Sequence, residues 1–242
     1  MIKYPTIQFL KWDTENFQKK IGKVSFEQAI SYDEYNDLLI QGRLENYELL
    51  YIFVPEKKDF LKDICKEDMR LVDQKVIFSK KLNTQKDIVN ISPFVFEYQE
   101  KCVSEQLLKL SLESGRFSRF YIDDNFPRST FQKLYSEWII RSVSKEIADE
   151  VLVFDKDDLL CGMLTYKVIS NVATIGLIAV DPLVQGKNIG TELMMFLEYK
   201  LSQHSVFDIN VATQLQNKKA CAFYEKNKYS IKQITNIYHV WL

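Results

Sequence analysis

The feature that most constrains this fold is an apolar strand, within residues 174–201, that passes through one short loop directly into an amphipathic helix. Two of the chain's seven glycines, Gly186 and Gly190, lie in that loop. Glycine lets the backbone turn and approach a ligand closely, and the start of a helix presents unpaired N–H groups at the positive end of the helix dipole. The stretch therefore predicts an anion site, and phosphate is the usual ligand of such sites.

The charge balance excludes a general electrostatic attraction to nucleic acid or to an anionic membrane. The 242 residues include 32 basic and 33 acidic side chains, which leaves a net charge of −1. Phosphate recognition must therefore be local, and we expect neither a nucleic-acid nor a membrane partner. No apolar run approaches the ~20 residues that a membrane-spanning helix needs, and the charged residues 1–20 do not resemble a signal peptide. The sequence predicts a soluble, cytoplasmic protein.

The cysteines and histidines indicate neither disulfides nor a metal. Cys65, Cys102, Cys161 and Cys221 are widely spaced and include no Cys-x-x-Cys pair, so we expect reduced thiols. The chain has two histidines and no Cys/His cluster, so we expect no metal site.

Two domains are predicted, at residues 1–90 and 91–242, because the polar stretch 83–90 is the best candidate boundary. The first is a small α/β unit with predicted helices at 32–44 and 57–65 and strands at 49–54 and 70–82. In the second, predicted helices lie between Ser104 and Gly115, at 129–143, at 188–202 and from 217. Predicted strands cover 150–154, 159–168, 172–180, 207–213, 229–234 and 237–242. This alternation predicts an α/β (α+β) fold with a mixed sheet covered by helices on both faces.

The glycine loop resembles one from the GNAT superfamily of acetyl-CoA-dependent N-acetyltransferases. In that family a Gln/Arg-x-x-Gly-x-Gly/Ala motif follows a strand and opens a helix. This chain has Gln185, Gly186, Lys187, Asn188, Ile189 and Gly190 in these places. Asn188 stands where glycine is usual, and asparagine is among the residues that best tolerate a positive φ. The interpretation therefore requires Asn188 to adopt that backbone angle.

A second motif lies one strand further on, at the distance that the family leads us to expect. Residues 217–226, NKKACAFYEK, fit the family's Asn-x-x-Ala-x-x-x-Tyr-Glu-Lys helix. Lys228 replaces the glycine that usually ends this helix, and we expect Asn227 to take the left-handed cap instead. The resemblance covers roughly residues 107–242 and implies the GNAT fold, a mixed central sheet flanked by helices, behind a smaller N-terminal α/β domain.

The resemblance implies acetyl-CoA as co-substrate and indicates the residues that bind it. In the family, the strand before the loop, here 175–180, diverges from its parallel neighbour, here 207–213, and the pantetheine arm lies in the gap. The backbone of residues 186–191 would then bind the pyrophosphate. The residues implied to bind acetyl-CoA are Ile178, Ala179, Val180, Gln185, Gly186, Lys187, Asn188, Ile189, Gly190, Thr191 and Asn217.

Tyr224 is the candidate catalytic residue. A phenol with a pKa of about 10 is a suitable general acid for a thiolate whose conjugate thiol has a pKa of about 8.5 to 9. The alternative is that Tyr224 only packs on a helix face beside Ala220. No general base is evident, since His204 is predicted to be solvated and His239 lies in a strand where either direction is open. In many enzymes of the family a water chain removes the amine proton.

A further resemblance concerns the substrate. Residues 114–123, 131–139 and 238–242, together with Trp12 and Asp13, are similar to the TDP-fucosamine acetyltransferases, which N-acetylate the 4-amino group of a dTDP-linked 4-amino-4,6-dideoxy sugar. The similarity implies that substrate class, with Arg119, Asp123 and His239 as candidate contacts. Arg119 and Asp123 are alternatively loop charges, and Leu134, Tyr135 and Trp138 fit a helix core better than a ligand site.

Two other functions remain open. One is a GNAT enzyme that acetylates a protein N-terminus or a small-molecule amine. The other is a non-catalytic module that binds CoA or a nucleotide sugar, since Asn188 and Lys228 depart from the family pattern. The oligomeric state is open as well, with a homodimer as one option.

Overall fold

The structure, a computed structural model, describes residues 6–61, 69–82 and 91–242. The chain divides into two compact units. Unit 1 contains Met1–Val76, Gln214–Gln216 and Gln233–Leu242, and unit 2 contains Ile77–Thr213 and Asn217–Lys232. Residues 233–242 therefore belong to unit 1, whereas the sequence pattern predicted a single domain over residues 91–242. The predicted boundary at 83–90 lies outside the described residues.

The described residues form the following elements in chain order. The strands are β1 (Gln8–Phe9), β2 (Ile21–Ser25), β3 (Leu49–Pro55), β4 (Met69–Lys81), β5 (Val95–Glu97), β6 (Glu150–Lys156), β7 (Leu159–Ile169), β8 (Val172–Val180), β9 (Asp208–Gln214) and β10 (Ser230–Trp241). The helices are α1 (Lys11–Phe17), α2 (Tyr32–Leu44), α3 (Glu105–Ser114), α4 (Arg119–Ile122), α5 (Arg128–Val143), α6 (Ile189–Gln203) and α7 (Lys218–Lys226).

Four predicted helices correspond to α2, α3, α5 and α6, and their predicted ends lie within one residue of the observed ends. Each of these segments shows helical apolar spacing and a terminal signal. The short elements β1, α1, β2, β5 and α4 were not predicted. Of the helix predicted at 57–65, residues 62–65 lie outside the described residues, and the described part overlaps a 3-10 turn at Glu56–Lys58.

Unit 1 has a mixed sheet with α2 packed on it. Strands β2 and β3 are parallel, whereas β1 pairs antiparallel with β2 and β10 pairs antiparallel with β3. Helix α2 begins at Ser31, whose hydroxyl accepts a hydrogen bond from the Glu34 N–H in a capping box. Buried residues of α2 join the sheet in one hydrophobic core with Leu50, Ile52 and Val240.

The end of the chain forms one strand, so the prediction of two strands at 229–234 and 237–242 was wrong. The polar Asn236, which lies between the two predicted strands, is fully buried. Its Nδ2 donates to Asp59 Oδ2 at 2.5 Å, and its Oδ1 accepts from Gln74 Nε2 at 3.1 Å. Because these hydrogen bonds satisfy the buried amide, the strand continues through it.

Unit 2 contains the strands that carry the predicted motifs. Their order is β9, β8, β7, β6 and β5, with the second part of β4 beside β9. Strands β8 and β9 are parallel, and the pairs from β8 to β5 are antiparallel. Helix α3 packs on β7 and β8, and α6 packs on β5, β6, β7 and β8. This arrangement confirms the predicted mixed sheet flanked by helices.

Candidate active site

The loop between β8 and α6 has the backbone conformation that the sequence interpretation required. Gly186 has a φ of 83° and Asn188 a φ of 64°, so both residues are left-handed. Asn188 is the N-cap of α6. A Cβ atom on Gly186 would meet no atom within 4 Å, so this part of the backbone borders open space. Asparagine therefore takes the conformation that glycine usually supplies here.

The start of α6 is not closed by a side chain. Its first helical hydrogen bond runs from the Glu192 N–H to the Asn188 C=O at 3.0 Å, so the N–H groups of residues 189–191 precede it. The Asn188 side chain makes no capping hydrogen bond. In contrast, Asn217 Oδ1 accepts from the Ala220 N–H at 3.1 Å and caps α7. Of the two helices, α6 is thus the one suited to receive an anion.

Side chains of the loop hold it against the end of β8. Gln185 Nε2 donates to the Val180 C=O at 3.2 Å, and Asp181 Oδ1 accepts from the Leu183 N–H at 2.8 Å. Lys187 is exposed in the same loop, so its ammonium adds positive charge to the helix start. The loop is thereby held in shape by its own hydrogen bonds and carries an exposed cationic side chain.

Gly190 is the point at which the two motifs meet. A Cβ atom there would lie 3.1 Å from two atoms of the Phe223 ring and 3.6 Å from Val180 Cγ2. The first turn of α6 therefore approaches the end of β8 and the α7 residue next to Tyr224. Two motifs separated by a strand in the sequence therefore lie next to each other in unit 2.

Strand β8 contains a bulge that the sequence pattern did not predict. Gly176 and Leu177 together face one residue of β7, Thr165, between the pairs Ile178↔Leu164 and Ile175↔Tyr166. The Leu177 N–H donates to Thr165 Oγ1 at 2.9 Å inside the core. Glycine within an apolar strand is a signal for such a bulge. A bulge bends its strand, and the bend starts here.

Strands β8 and β9 separate at this bulge. Their parallel pairing runs from Val172↔Asp208 to Ile175↔Val211 and ends there, while β8 stays paired with β7 up to Val180↔Gly162. The predicted divergence of residues 175–180 from the neighbouring strand is confirmed. Ile178, Ala179 and Val180 thus lie beyond the last pair with β9, on a strand whose second edge borders the gap.

Tyr224 is buried at 2% exposure among aromatic rings. Its ring centroid lies 5.3 Å from that of Phe78, 5.4 Å from that of Phe223 and 6.2 Å from that of Tyr229. Burial raises the pKa of the Tyr224 phenol, because the anion is poorly solvated there. The phenol therefore keeps its proton at neutral pH, as a proton donor must.

Helix α7 ends in a Schellman motif. Lys228 has a φ of 67°, whereas Asn227 has a φ of −85°, so the prediction that Asn227 takes the left-handed position was wrong. The Lys228 N–H donates to the Glu225 C=O and the Tyr229 N–H to the Tyr224 C=O, both at 3.0 Å. This pair of hydrogen bonds requires a left-handed residue at position 228, whatever its type.

The candidate substrate residues lie in both units. In unit 2, Arg119 begins α4, with its guanidinium carbon 4.5 Å from the centre of the Phe120 ring. Asp123 follows α4, and its buried carboxylate accepts two hydrogen bonds from Asn125, each at 3.1 Å. In unit 1, His239 is fully buried and stacks on Tyr51 with 4.7 Å between ring centroids.

Helix α5 uses its aromatic residues in packing. Leu134 and Tyr135 are buried, and Trp138 lies edge-on to Tyr135 with 4.9 Å between ring centroids. The core interpretation of these residues is therefore the one that the structure supports. His204, at the end of α6, is exposed.

Two of the described cysteines, Cys161 and Cys221, are at least partly buried. Cys102, Cys161 and Cys221 are thiols rather than disulfides, and Cys65 lies outside the described residues. Burial raises the pKa of the Cys161 and Cys221 thiols, which disfavours the nucleophilic thiolate. Within residues 6–61, 69–82 and 91–242, no three metal-ligating side chains cluster. No helix in these ranges has the length and hydropathy that crossing a membrane requires.

The geometry agrees with a family match. Residues 111–229, which include the loop, the diverging strand and α7, match the Acetyltransferase (GNAT) family. This segment is a GNAT-family acetyltransferase domain, a domain of the acetyl-CoA-dependent acyltransferase class. A named relative is the spore coat polysaccharide biosynthesis protein SpsD of Bacillus subtilis (strain 168), 23% identical over 138 residues. That alignment covers 57% of this chain and 47% of SpsD, so the chain matches about half of its relative's length.

Two solved structures share the fold. A conserved protein of unknown function from Staphylococcus epidermidis ATCC 12228 has a TM-score of 0.68 at 12% identity, over 100% of this chain and 92% of that one. A GCN5-related N-acetyltransferase from Sphaerobacter thermophilus has a TM-score of 0.59 at 12% identity, over 98% of this chain and 76% of that one.

Proposed function

We propose that the protein transfers the acetyl group of acetyl-CoA to the amino group of a dTDP-linked 4-amino-4,6-dideoxyhexose. One observation supports acyl transfer above the others: the gap between β8 and β9 opens beside the uncapped start of α6. A thioester arm fits such a gap as an added strand, and a pyrophosphate fits such a helix start.

In this proposal the backbone binds the acyl carrier. The N–H groups of residues 189–191, with the left-handed Gly186 and Asn188, receive the pyrophosphate, and the Lys187 ammonium adds charge. Residues 178–180 pair with the pantetheine arm. Gln185 supports the loop through its bond to Val180, and Asn217 contacts the arm from the start of α7.

The chemistry requires one proton donor. Acetyl-CoA supplies an activated thioester: the amine nitrogen attacks its carbonyl carbon, the C–N bond forms and the C–S bond breaks. Tyr224 gives its proton to the departing thiolate, and water takes the proton that the amine loses. The raised pKa of Tyr224 means that the phenol is protonated at neutral pH, so the proton is present when the C–S bond breaks.

The amino-sugar substrate is supported by two observations of different kind. SpsD, by its name, acts in polysaccharide biosynthesis, and its similarity covers more than half of this chain. Arg119, at the start of α4, supplies a guanidinium group, which suits a diphosphate. We propose Arg119 as a substrate contact; Asp123 and His239 are 1% and 0% exposed, and their role as substrate contacts stays a prediction.

The direct test is release of free CoA thiol by the full chain with acetyl-CoA and separate amines. Turnover is expected with dTDP-4-amino-4,6-dideoxy sugars. Turnover with peptides or simple amines instead would replace the proposed substrate while keeping the enzyme class. Acetyl-CoA at about 100 times a typical Kd should also raise the melting temperature, since it stabilises the folded state by about 2.7 kcal/mol. No thermal shift and no thiol release would overturn the proposal.

The role of Tyr224 has its own test. Tyr224→Phe is expected to lower kcat by about 10²–10⁴ while the Kd of acetyl-CoA stays unchanged, because only the acidic proton is lost. Tyr199→Phe is the matched control, since Tyr199 is 40% exposed on α6. Equal kcat values for Tyr224→Phe and Tyr199→Phe would remove Tyr224 from the mechanism.

A further inference from the structure

A partly buried ion pair joins β4 to α6 within unit 2. Lys80 Nζ donates to both carboxylate oxygens of Glu198, at 2.7 and 2.8 Å. The two side chains are only 21% and 20% exposed. An ion pair sheltered in this way is screened less by salt than a surface pair. The Glu198 carboxylate is therefore held in one place on the helix that begins at the phosphate-binding loop.

Glu198 also holds a buried tyrosine. The Tyr229 O–H donates to Glu198 Oε1 at 3.1 Å, and the Lys80 ammonium lies 5.4 Å from the centre of the Tyr229 ring. Tyr229 is 3% exposed. Burial and the neighbouring carboxylate raise the pKa of Tyr229, so its phenol keeps the proton that it donates. The ring is thus fixed at its hydroxyl as well as by packing.

Tyr229 is in direct contact with the end of α7. Its N–H closes the Schellman motif on the Tyr224 C=O at 3.0 Å, and the two rings lie 6.2 Å apart between centroids. The neighbouring Lys228 is exposed and left-handed. The backbone of Tyr224 is therefore tied through Tyr229 to a carboxylate on α6.

We propose that Lys80, Glu198 and Tyr229 are positioning residues that set the place of Tyr224 relative to α6. The inference rests on the proposed role of Tyr224 as general acid. Helix α6 begins directly after the loop that is proposed to bind the pyrophosphate. The three residues therefore fix the position of the proton donor relative to the acyl carrier. A general acid misplaced by about 1 Å loses much of its rate, so such support matters.

A double-mutant cycle tests this role. Tyr229→Phe keeps the ring and removes the hydroxyl, and Glu198→Gln keeps the volume and removes the charge. Each is expected to lower kcat about tenfold while leaving the KM for acetyl-CoA within about twofold. In the Tyr224→Phe background, the same changes should alter kcat by less than about twofold, since the group that they position is already absent.

The matched control is Glu150→Gln. Glu150 pairs with Lys145 at 3.0 Å elsewhere in unit 2 and is 21% exposed at its side chain. Its replacement should leave kcat unchanged in both backgrounds. Equal losses of kcat for Tyr229→Phe with and without Tyr224 would mean a general structural effect and would overturn the positioning role.

A second readout does not depend on acyl transfer. Amide hydrogen exchange in residues 224–229 should become about tenfold faster in Tyr229→Phe and Glu198→Gln, because the closing bond of α7 opens more often. Absence of turnover with every amine would refute the proposed function but leave this exchange test in force. Unchanged exchange together with unchanged kcat would refute the positioning role while the acetyltransferase activity stands.

Discussion

Lys228→Gly is expected to stabilise the protein, although it removes a side chain. Lys228 is exposed and has a φ of 67°. The left-handed conformation costs a residue with a Cβ atom about 1–2 kcal/mol, whereas glycine loses about 0.5–1 kcal/mol of backbone entropy on folding. The difference predicts a gain of about 0.5–1 kcal/mol in the free energy of unfolding. The Schellman hydrogen bonds involve backbone atoms alone, so the substitution keeps them.

The gain is measurable by urea and thermal unfolding. For a chain of this size it corresponds to a rise of about 1–4 °C in Tm. Lys228→Ala is the matched control, since it removes the same charge but keeps the Cβ atom and the strain. The two variants should therefore differ, with only glycine raising Tm. If alanine and glycine raise Tm equally, the effect comes from the charge and the reasoning from φ is refuted.

Three other predictions concern the site. Asn188→Gly should keep the affinity for acetyl-CoA, whereas Asn188→Val should weaken it about tenfold in calorimetric titrations, because a β-branched residue is strained at positive φ; equal affinities would contradict this. Thr165→Val should lower the free energy of unfolding in urea by about 1–3 kcal/mol, since the buried Leu177 N–H loses its acceptor, and Thr165→Ser, which keeps the hydroxyl, should lose less. The raised pKa of Tyr224 contributes stability that is complete below the unfolded pKa of about 10 and is lost as the pH rises from there toward the folded pKa. Tyr224→Phe should therefore show a shallower fall in unfolding free energy between pH 9 and pH 11, and an equal fall would speak against the buried phenol.

Sequence motifs located the loop because its chemistry is local. A strand, two glycines and a helix lie within residues 174–201, so neighbours in the chain are neighbours in space. The positive φ of Asn188 was predicted because asparagine tolerates such an angle and because the family motif usually has glycine at this position. The cap of α7 did not follow in the same way: Asn227 was the better residue, but the hydrogen bonds at the helix end place the left-handed angle at Lys228. These hydrogen bonds hold Lys228 in a left-handed conformation, although that conformation costs a residue with a Cβ atom about 1–2 kcal/mol.

Polar residues were harder to interpret, since a buried partner cannot be read from their own neighbourhood. Asn236 lies between the two strands predicted at the end of the chain, yet Asp59 and Gln74 satisfy its amide and the strand continues through it. His239 was predicted as a substrate contact, which stays a prediction, and the structure places it fully buried beside Tyr51 in unit 1. In both cases the decisive groups come from distant parts of the chain.

The sequence by itself determined helices α2, α3, α5 and α6, the mixed sheet and the glycine-containing loop between β8 and α6, because periodicity and glycine positions act over a few residues. Tertiary structure alone decided that the bulge of β8 lies opposite Thr165 and that Lys80, Glu198 and Tyr229 form one network. Those features depend on hydrogen bonds between residues far apart in the chain. Such contacts exist only after the strands have paired, and no local pattern encodes them.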